Sequence, residues 1–276
     1  MDKVQKGIFV HFTGMGIKMN FTVEHLEFYL LILIRISSFV MAAPFFSYNA
    51  IPIRVKAAVS ILLSIVAIQV TPVVELEYTG IIGYSALILQ EAAVGLILGF
   101  MCNICLYIIA FAGQVMDMEM GLSMASMFDP LSRIQVSVTG NMYTYLVMLI
   151  MVVTNMHYYV LRAILDTFRY FNIGRAVFSG NVVETAIDFM GNYFLIGFRI
   201  VLPVFACMLV INVVLGVLSR AAPQMNMFVV GMQVKVLVGI LILLIIIPTV
   251  PTITNFVMDT MNDVILQVYR SFTPRQ

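Results

Sequence analysis

Residues 92–116 read AAVGLILGFMCNICLYIIAFAGQVM and contain no Asp, Glu, Lys or Arg. A run of about 20 apolar residues can cross the hydrocarbon core of a bilayer as a helix. Three further runs lack the same four residue types: 134–161, 200–219 and 236–258. The whole chain is 62% hydrophobic and 11% charged, whereas a soluble domain usually carries about 25% charged residues. These patterns predict an all-α membrane protein that crosses the bilayer several times.

The residues that interrupt the apolar runs predict about six long hydrophobic helices. We place them at about 24–43, 53–71, 80–112, 132–165, 182–219 and 226–256, followed by a short amphipathic tail. The helix at 182–219 would be roughly 57 Å long, whereas the hydrocarbon core is about 30 Å thick. It also contains Pro203, so we expect it to kink, tilt or leave the bilayer.

No polar linker divides the chain, which predicts a single domain over residues 19–276. Residues 1–18 lie outside the apolar pattern, which begins just after Met19. We therefore interpret 1–18 as an N-terminal extension or a start-site artefact. This stretch has no compact apolar core followed by a small-residue cleavage site, so we do not interpret it as a signal peptide.

Four charged residues interrupt apolar runs: Arg35, Glu91, Arg199 and Lys235. An ionisable group at membrane depth needs a partner, water or surrounding protein. We therefore expect the chain to be buried in a larger assembly and to be unstable alone, because Glu91 and Lys235 would lack partners. A secondary transporter is the alternative, with Arg35, Glu91 and Arg199 as a relay, although we detect no internal repeat.

Glu91, Gly95 and Gly99 are spaced four residues apart, which places them on one face of a helix. A Gly-x-x-x-Gly pair lets another helix backbone approach closely. The pattern fits packing within the chain and packing between subunits equally well.

The stretch 218–231, LSRAAPQMNMFVVG, predicts a tight polar turn between two apolar helices. Arg220 would lie at a helix C-terminus, where a positive charge suits the helix dipole. Pro223 cannot continue that helix, and Asn226 would cap the next one. We expect this turn to shape a subunit interface.

Residues 112–130, AGQVMDMEMGLSMASMFDP, combine apolar, flexible methionines with acids beside a membrane span. The candidate gating residues are Met116, Asp117, Met118, Glu119, Met120, Gly121, Met124 and Met127. If the stretch is helical, Met116, Met120, Met124 and Met127 share a face, and the acids point towards water or a basic partner. If it is extended, Met116, Met118 and Met120 share a face instead. The stretch is either a soft gate or an interfacial loop in which methionine covers a neighbouring helix.

Neither covalent chemistry nor a cofactor is expected. Cys102 and Cys105 lie in an apolar run without a neighbouring His or acid, which favours buried small side chains over a metal or redox site. An intramembrane enzyme would need Ser123 as nucleophile with His157 as base, and the glycine expected after such a serine is missing. The net charge of +1 gives no basic footprint for nucleic acid.

Four motifs occur together in this chain. They are Arg35 with PFF (44–46) and Pro52-x-Arg54; Glu91 with Gly95 and Gly99; AGQ (112–114) with Asp117, Gly121 and Asp129-Pro130; and SRAAPQMNMF (219–228) with Gly231, Lys235 and Gly239. In these residues, over about 20–270, the chain resembles the FliR family of flagellar biosynthetic proteins and its injectisome counterparts, the SctT proteins. The AGQ…DP stretch and the SRxxPQxN turn are the most specific parts.

The resemblance implies a subunit of the flagellar type III protein export gate in the bacterial cytoplasmic membrane, at the flagellar basal body. It implies kinked helical hairpins that form a channel with FliP-like and FliQ-like subunits, next to FlhB-like and FlhA-like proteins. It also places a plug at 112–130 and makes unfolded flagellar subunits the cargo. An injectisome export gate is the alternative.

Overall fold

The computed structural model describes residues 8–9, 20–21, 23–47, 51–74, 76, 78–124, 137–176, 181–224 and 226–272. Within these ranges the chain forms α1 (Val23–Ala42), α2 (Ile53–Val70), α3 (Gly80–Met120), α4 (Val138–Val153), α5 (His157–Tyr170), α6 (Asn181–Ala221), α7 (Met227–Ile246) and α8 (Val250–Phe272). A 3-10 turn at Ile247–Thr249 joins the last two helices. The short strands β1 (Ile8–Phe9) and β2 (Asn20–Phe21) pair antiparallel, with Ile8 opposite Phe21.

The expected all-helical membrane fold is confirmed. Five helical stretches in the described residues are long and apolar enough to cross a membrane: 25–42, 53–70, 80–120, 189–221 and 228–272. The helices α4 and α5 meet at a bend of 73° and make a sixth span if they are counted together. The helices α3 and α6 are each 41 residues long, and α6 passes through Pro203 without ending.

Three of the predicted helices differ from the observed ones. The third helix continues beyond residue 112 to Met120, and ends where Gly121 adopts a φ of +80°. The predicted helix 132–165 is two helices, because the chain turns at 154–156, where Asn155 has a φ of +59°. Its first residues, 132–136, lie outside the described part of the chain.

The predicted helix 226–256 divides at Ile247–Thr249 because Pro248 lacks the N–H that an α-helical turn requires. The expected short tail is the end of α8, which continues to Phe272.

The chain comprises two compact units, each assembled from separate segments. The first unit contains residues 1–103, 157–185 and 263–276, and the second contains 104–156 and 186–262. The single domain over 19–276 stays a prediction.

In the first unit, α1 and α2 pack side by side, and the end of α8 packs on α5. There Tyr269 stacks on Tyr170, with 4.7 Å between ring centroids, and its hydroxyl donates to the Ala163 carbonyl.

Candidate functional site

A buried ion pair joins α1 to α3 in the first unit. Arg35 and Glu91 are both completely buried, and the Arg35 Nε donates to Glu91 Oε2. The second carboxylate oxygen, Oε1, accepts from the Gly174 backbone N–H at 2.8 Å. Arg35 also donates from Nη1 to Thr167 Oγ1 of α5 at 3.3 Å. One charged pair therefore connects α1, α3, α5 and the loop after α5.

Two aromatic rings complete the environment of the Arg35 charge. Its Cζ atom lies 4.6 Å from the ring centroid of Phe168 and 4.8 Å from that of Phe171. Aromatic faces attract a guanidinium, and they do so more strongly away from water. The expectation that Glu91 lacks a partner within the chain was therefore wrong. The sequence contains both charges, but they are 56 residues apart and carry no local signal of pairing.

Gly95 and Gly99 continue the same face of α3, and both contact α1. A Cβ atom on Gly95 would overlap the Arg35 carbonyl oxygen and the Ser38 hydroxyl. A Cβ atom on Gly99 would lie 2.8 Å from the Phe39 carbonyl oxygen and 3.1 Å from the Ala43 nitrogen. This Gly-x-x-x-Gly pair therefore serves packing within the chain.

The other two interrupting charges lie in the second unit. Arg199 is exposed on α6, and Lys235 is half-buried on α7. Neither forms a hydrogen bond or an ion pair within the described part of the chain. Of the four interrupting charges, Arg199 and Lys235 are therefore the two without a counter-charge among the described residues.

The turn between α6 and α7 agrees only partly with the prediction. Arg220 lies in the last turn of α6, as expected, and is exposed. Pro223 follows in the turn, where the helix has ended. Asn226 occupies the N-cap position of α7, but its side chain makes no capping hydrogen bond, so its predicted role was wrong. The residue is exposed, and water can satisfy its amide in place of the helix N–H groups.

The methionine stretch begins inside α3 and not in a loop. Met116 and Met120 are 1% and 0% exposed, whereas Met118 and Met124 are 61% and 36% exposed. A Cβ atom on Gly239 of α7 would lie 2.6 Å from the Met120 sulfur, so Met120 packs directly on that glycine. Met127 lies outside the described residues.

The helical alternative holds for Met116 and Met120, which share a buried face of α3, but not for Met124. Residues up to Met120 are helical, which excludes the extended form. The helix ends at Gly121, so one helical face does not run on from Met116 and Met120 to Met124.

Asp117 is buried, and the expectation that it points towards water or a basic partner was wrong. Its carboxylate accepts from the Ser137 hydroxyl at 2.7 Å and from the Thr139 backbone N–H at 3.2 and 3.3 Å. Ser137 is the N-cap of α4. Glu119, the other acid among the candidate gating residues, is half-exposed.

One turn before Asp117, the backbones of α3 and α4 touch. A Cβ atom on Gly113 would overlap the Cα and N atoms of Gly140, and one on Gly140 would lie 2.8 Å from the Ala110 carbonyl oxygen. Gly140 was not among the residues predicted from the sequence. The pattern that could have identified it is Ser-x-Thr-Gly at 137–140, in which a serine able to cap a helix precedes a small residue by three positions.

An apolar cavity of about 750 Å³ lies beyond the end of α3 in the second unit. Leu122 and Met124 line it from the turn after α3, and Val236, Leu237 and Ile240 line it from α7. Its walls are almost entirely hydrocarbon and thioether.

The residues considered for chemistry lie on α3, in the turn after α3 and at the start of α5. Cys102 and Cys105 are buried on α3, as predicted. Ser123 lies in the turn after α3, and His157 is the first residue of α5. Among the described residues, no three His, Cys, Asp or Glu side chains are grouped to hold a metal ion.

Comparison with known proteins identifies relatives over most of the chain. The family model for bacterial export proteins, family 1, matches residues 26–261. Flagellar biosynthetic protein FliR of Bacillus subtilis is 28% identical over 233 residues, which cover 82% of this chain and 88% of that protein. The FliR proteins of Escherichia coli and of Buchnera aphidicola from Acyrthosiphon pisum are 27% and 28% identical, each over 82% of this chain and over 86% and 88% of their own lengths.

Proposed function

Because the chain belongs to the bacterial export proteins of family 1, we propose that it is a subunit of the flagellar type III protein export gate. The match over residues 26–261 carries this proposal, since it covers nearly all of the helical region. The relatives named above are flagellar proteins, which favours the flagellar role over the injectisome role. The gate conducts unfolded flagellar subunits.

The exposed apolar surface supports a membrane assembly. The most apolar parts of 189–221 and of 228–272 are mostly exposed. In each, only 22% is buried within the chain. Large exposed apolar areas mark contacts with lipid or with other proteins. The chain is a multi-pass membrane protein of the flagellar apparatus, and we place it in the bacterial cytoplasmic membrane at the basal body.

The partners that fit this surface are FliP-like and FliQ-like gate subunits, with FlhB-like and FlhA-like proteins beside them. The unpaired Arg199 and Lys235 support this, because a cation at membrane depth needs a counter-charge or water from outside the chain. Lipid covers the remaining apolar faces. The turn with Arg220, Pro223 and Asn226 is the polar element that we assign to a subunit contact.

We assign the closing of the resting channel to the end of α3 and the turn after it. A hydrophobic constriction blocks ions by excluding water. Met118 and Met124 are exposed, and we assign the constriction to their side chains. The half-exposed Glu119 lies beside Met118. Met116 and Met120 anchor the segment by packing within the second unit.

The flagellar role is tested by deleting the gene and measuring swimming motility and secretion of flagellar subunits. We expect both to be lost and then restored by the wild-type chain, which should co-purify with FliP-like and FliQ-like subunits. Normal flagella in the deletion strain would refute the proposal. A secretion defect confined to injectisome substrates would establish the alternative.

The gate assignment is tested by two matched pairs of substitutions in the assembled complex. Met118→Ser with Met124→Ser should raise the ion conductance of the resting complex without reducing assembly. Met116→Ser with Met120→Ser should instead reduce the amount of folded protein, since removing a buried large side chain costs about 2–5 kcal/mol. Unchanged conductance in assembled Met118 and Met124 variants would show that these methionines only cover a surface.

A further inference from the structure

Asp117 is a buried carboxylate without an ion-pair partner in the described part of the chain. We propose that Asp117 is a positioning residue of the gate, because it ties the methionine end of α3 to the N-terminus of α4. This inference rests on the gate function proposed above. It removes Asp117 from the residues that face the channel and gives it a fixed structural partner.

The hydrogen bonds around Asp117 form a closed set. The Ser137 hydroxyl donates its single proton to Asp117, at 2.7 Å, and accepts from the Gly140 N–H at 2.8 Å. The Thr139 N–H donates to both carboxylate oxygens. Two of the N–H groups that a helix start leaves unpaired are therefore satisfied, one by Ser137 and one by Asp117. We call Asp117, Ser137, Thr139 and Gly140 the α3–α4 clamp.

The charge of Asp117 suits this position. A helix N-terminus carries a partial positive charge, which stabilises a nearby carboxylate more strongly when the two are shielded from water. The first turn of α4 contains no acidic residue of its own. Asp117 supplies the negative charge from another helix, and so the interaction holds two helices together.

The clamp lies where the two helices cannot separate or rotate freely. Gly113 and Gly140 bring the backbones of α3 and α4 into contact one turn before Asp117. Three residues after Asp117, Met120 packs on Gly239 of α7. With Asp117 held by α4 and Met120 held by α7, the direction in which Met118 points is fixed.

The test measures ion conductance of the assembled complex in planar bilayers. Asp117→Ala and Ser137→Ala should each raise resting conductance by roughly tenfold, the change that about 1.4 kcal/mol produces in an equilibrium. Ser137→Thr keeps the hydroxyl and should stay near the wild-type value. The double Ala variant should leak little more than either single variant, because both remove the same interaction.

A distance measurement separates positioning from general destabilisation. Spin labels at Gln114 of α3 and Asn141 of α4, both exposed, report the separation of the helices at the clamp. We expect a narrow distance distribution in the wild type and with Ser137→Thr. Ser137→Ala and Asp117→Ala should broaden it while the complex still assembles.

The outcomes distinguish this inference from the gate function. If the Asp117 and Ser137 variants keep wild-type conductance while the Met118 and Met124 variants conduct more, the clamp proposal is refuted. The gate function proposed above is then still supported. If instead the clamp variants conduct more and the methionine variants do not, Asp117 is supported as a positioning residue. The constriction is then formed by residues other than Met118 and Met124. If Asp117→Ala and Ser137→Ala both fail to assemble while Ser137→Thr assembles, the clamp serves folding, and its proposed role at the gate is refuted.

Discussion

The first and the second unit each bury a carboxylate among apolar helices, but they compensate its charge by different means. Glu91 pairs with a side-chain cation, Arg35, which is itself enclosed by two aromatic rings. Asp117 has a hydroxyl and a helix N-terminus as its partners. Both carboxylates hold helices together. Removing Arg35 leaves the buried Glu91 carboxylate without its counter-charge, whereas removing Ser137 leaves Asp117 with the Thr139 N–H and the helix N-terminus as partners.

This difference predicts that substitutions at the two carboxylates have different consequences. A buried ion pair that loses one member typically costs about 3–5 kcal/mol, because the remaining charge is uncompensated. A lost helix cap costs about 0.5–2 kcal/mol. We therefore expect defects at Arg35 and Glu91 to affect folding, and defects at the α3–α4 clamp to affect the state of a folded complex.

The largest effect is expected from Glu91→Ala or Arg35→Ala. Each should lower the stability of the chain by about 3–5 kcal/mol, since the remaining charge stays buried. The measurement is the abundance of the full chain in membranes, together with its thermal unfolding in detergent. Wild-type abundance of both single variants would show that water reaches the pair.

A double replacement sharpens this result. Arg35→Met with Glu91→Leu removes both charges and restores apolar packing, and such exchanges are often neutral or stabilising. We expect it to recover much of the stability that either single Ala variant loses. A double variant as unstable as the single ones would mean that the hydrogen bonds to Thr167 and Gly174, not the charges, hold this region.

The close helix contacts should give the next largest effect. Gly99→Ala and Gly113→Ala place a Cβ atom against neighbouring backbone that cannot move aside, and overpacking of this kind typically costs about 1–3 kcal/mol. Gly216→Ala on α6 is the control, because a Cβ atom there meets no atom within 4 Å. The control should be neutral or stabilising by up to about 1 kcal/mol. Equal unfolding temperatures for all three variants would contradict the contacts.

Sequence reasoning recovered the helices and the charges but not the partners. Apolar runs locate membrane helices because hydrocarbon admits so few alternatives, and five of the predicted spans lie close to observed ones. Glu91 and Arg35 each stood out as costly, but a pairing across 56 residues has no sequence pattern. Asp117 was misassigned because α3 was ended at 112, which turned a helical residue that faces α4 into an apparent loop residue.

The smallest effect is expected at Arg220, which repeats the interaction of Asp117 with opposite signs and in an exposed position. Its positive charge lies in the last turn of α6, where the helix end carries a partial negative charge. Arg220→Glu should cost about 0.3–1 kcal/mol, less than a buried interaction because water and salt screen it. Such a loss is too small to lower the abundance of a membrane protein with larger contacts elsewhere.

If the turn shapes a subunit contact, however, co-purification with FliP-like and FliQ-like subunits should fall while abundance stays constant. Arg220→Gln is the control, since it removes the charge without reversing it and should give a smaller defect. An Arg220→Glu chain that assembles and supports motility like wild type would make the turn only a connector between α6 and α7.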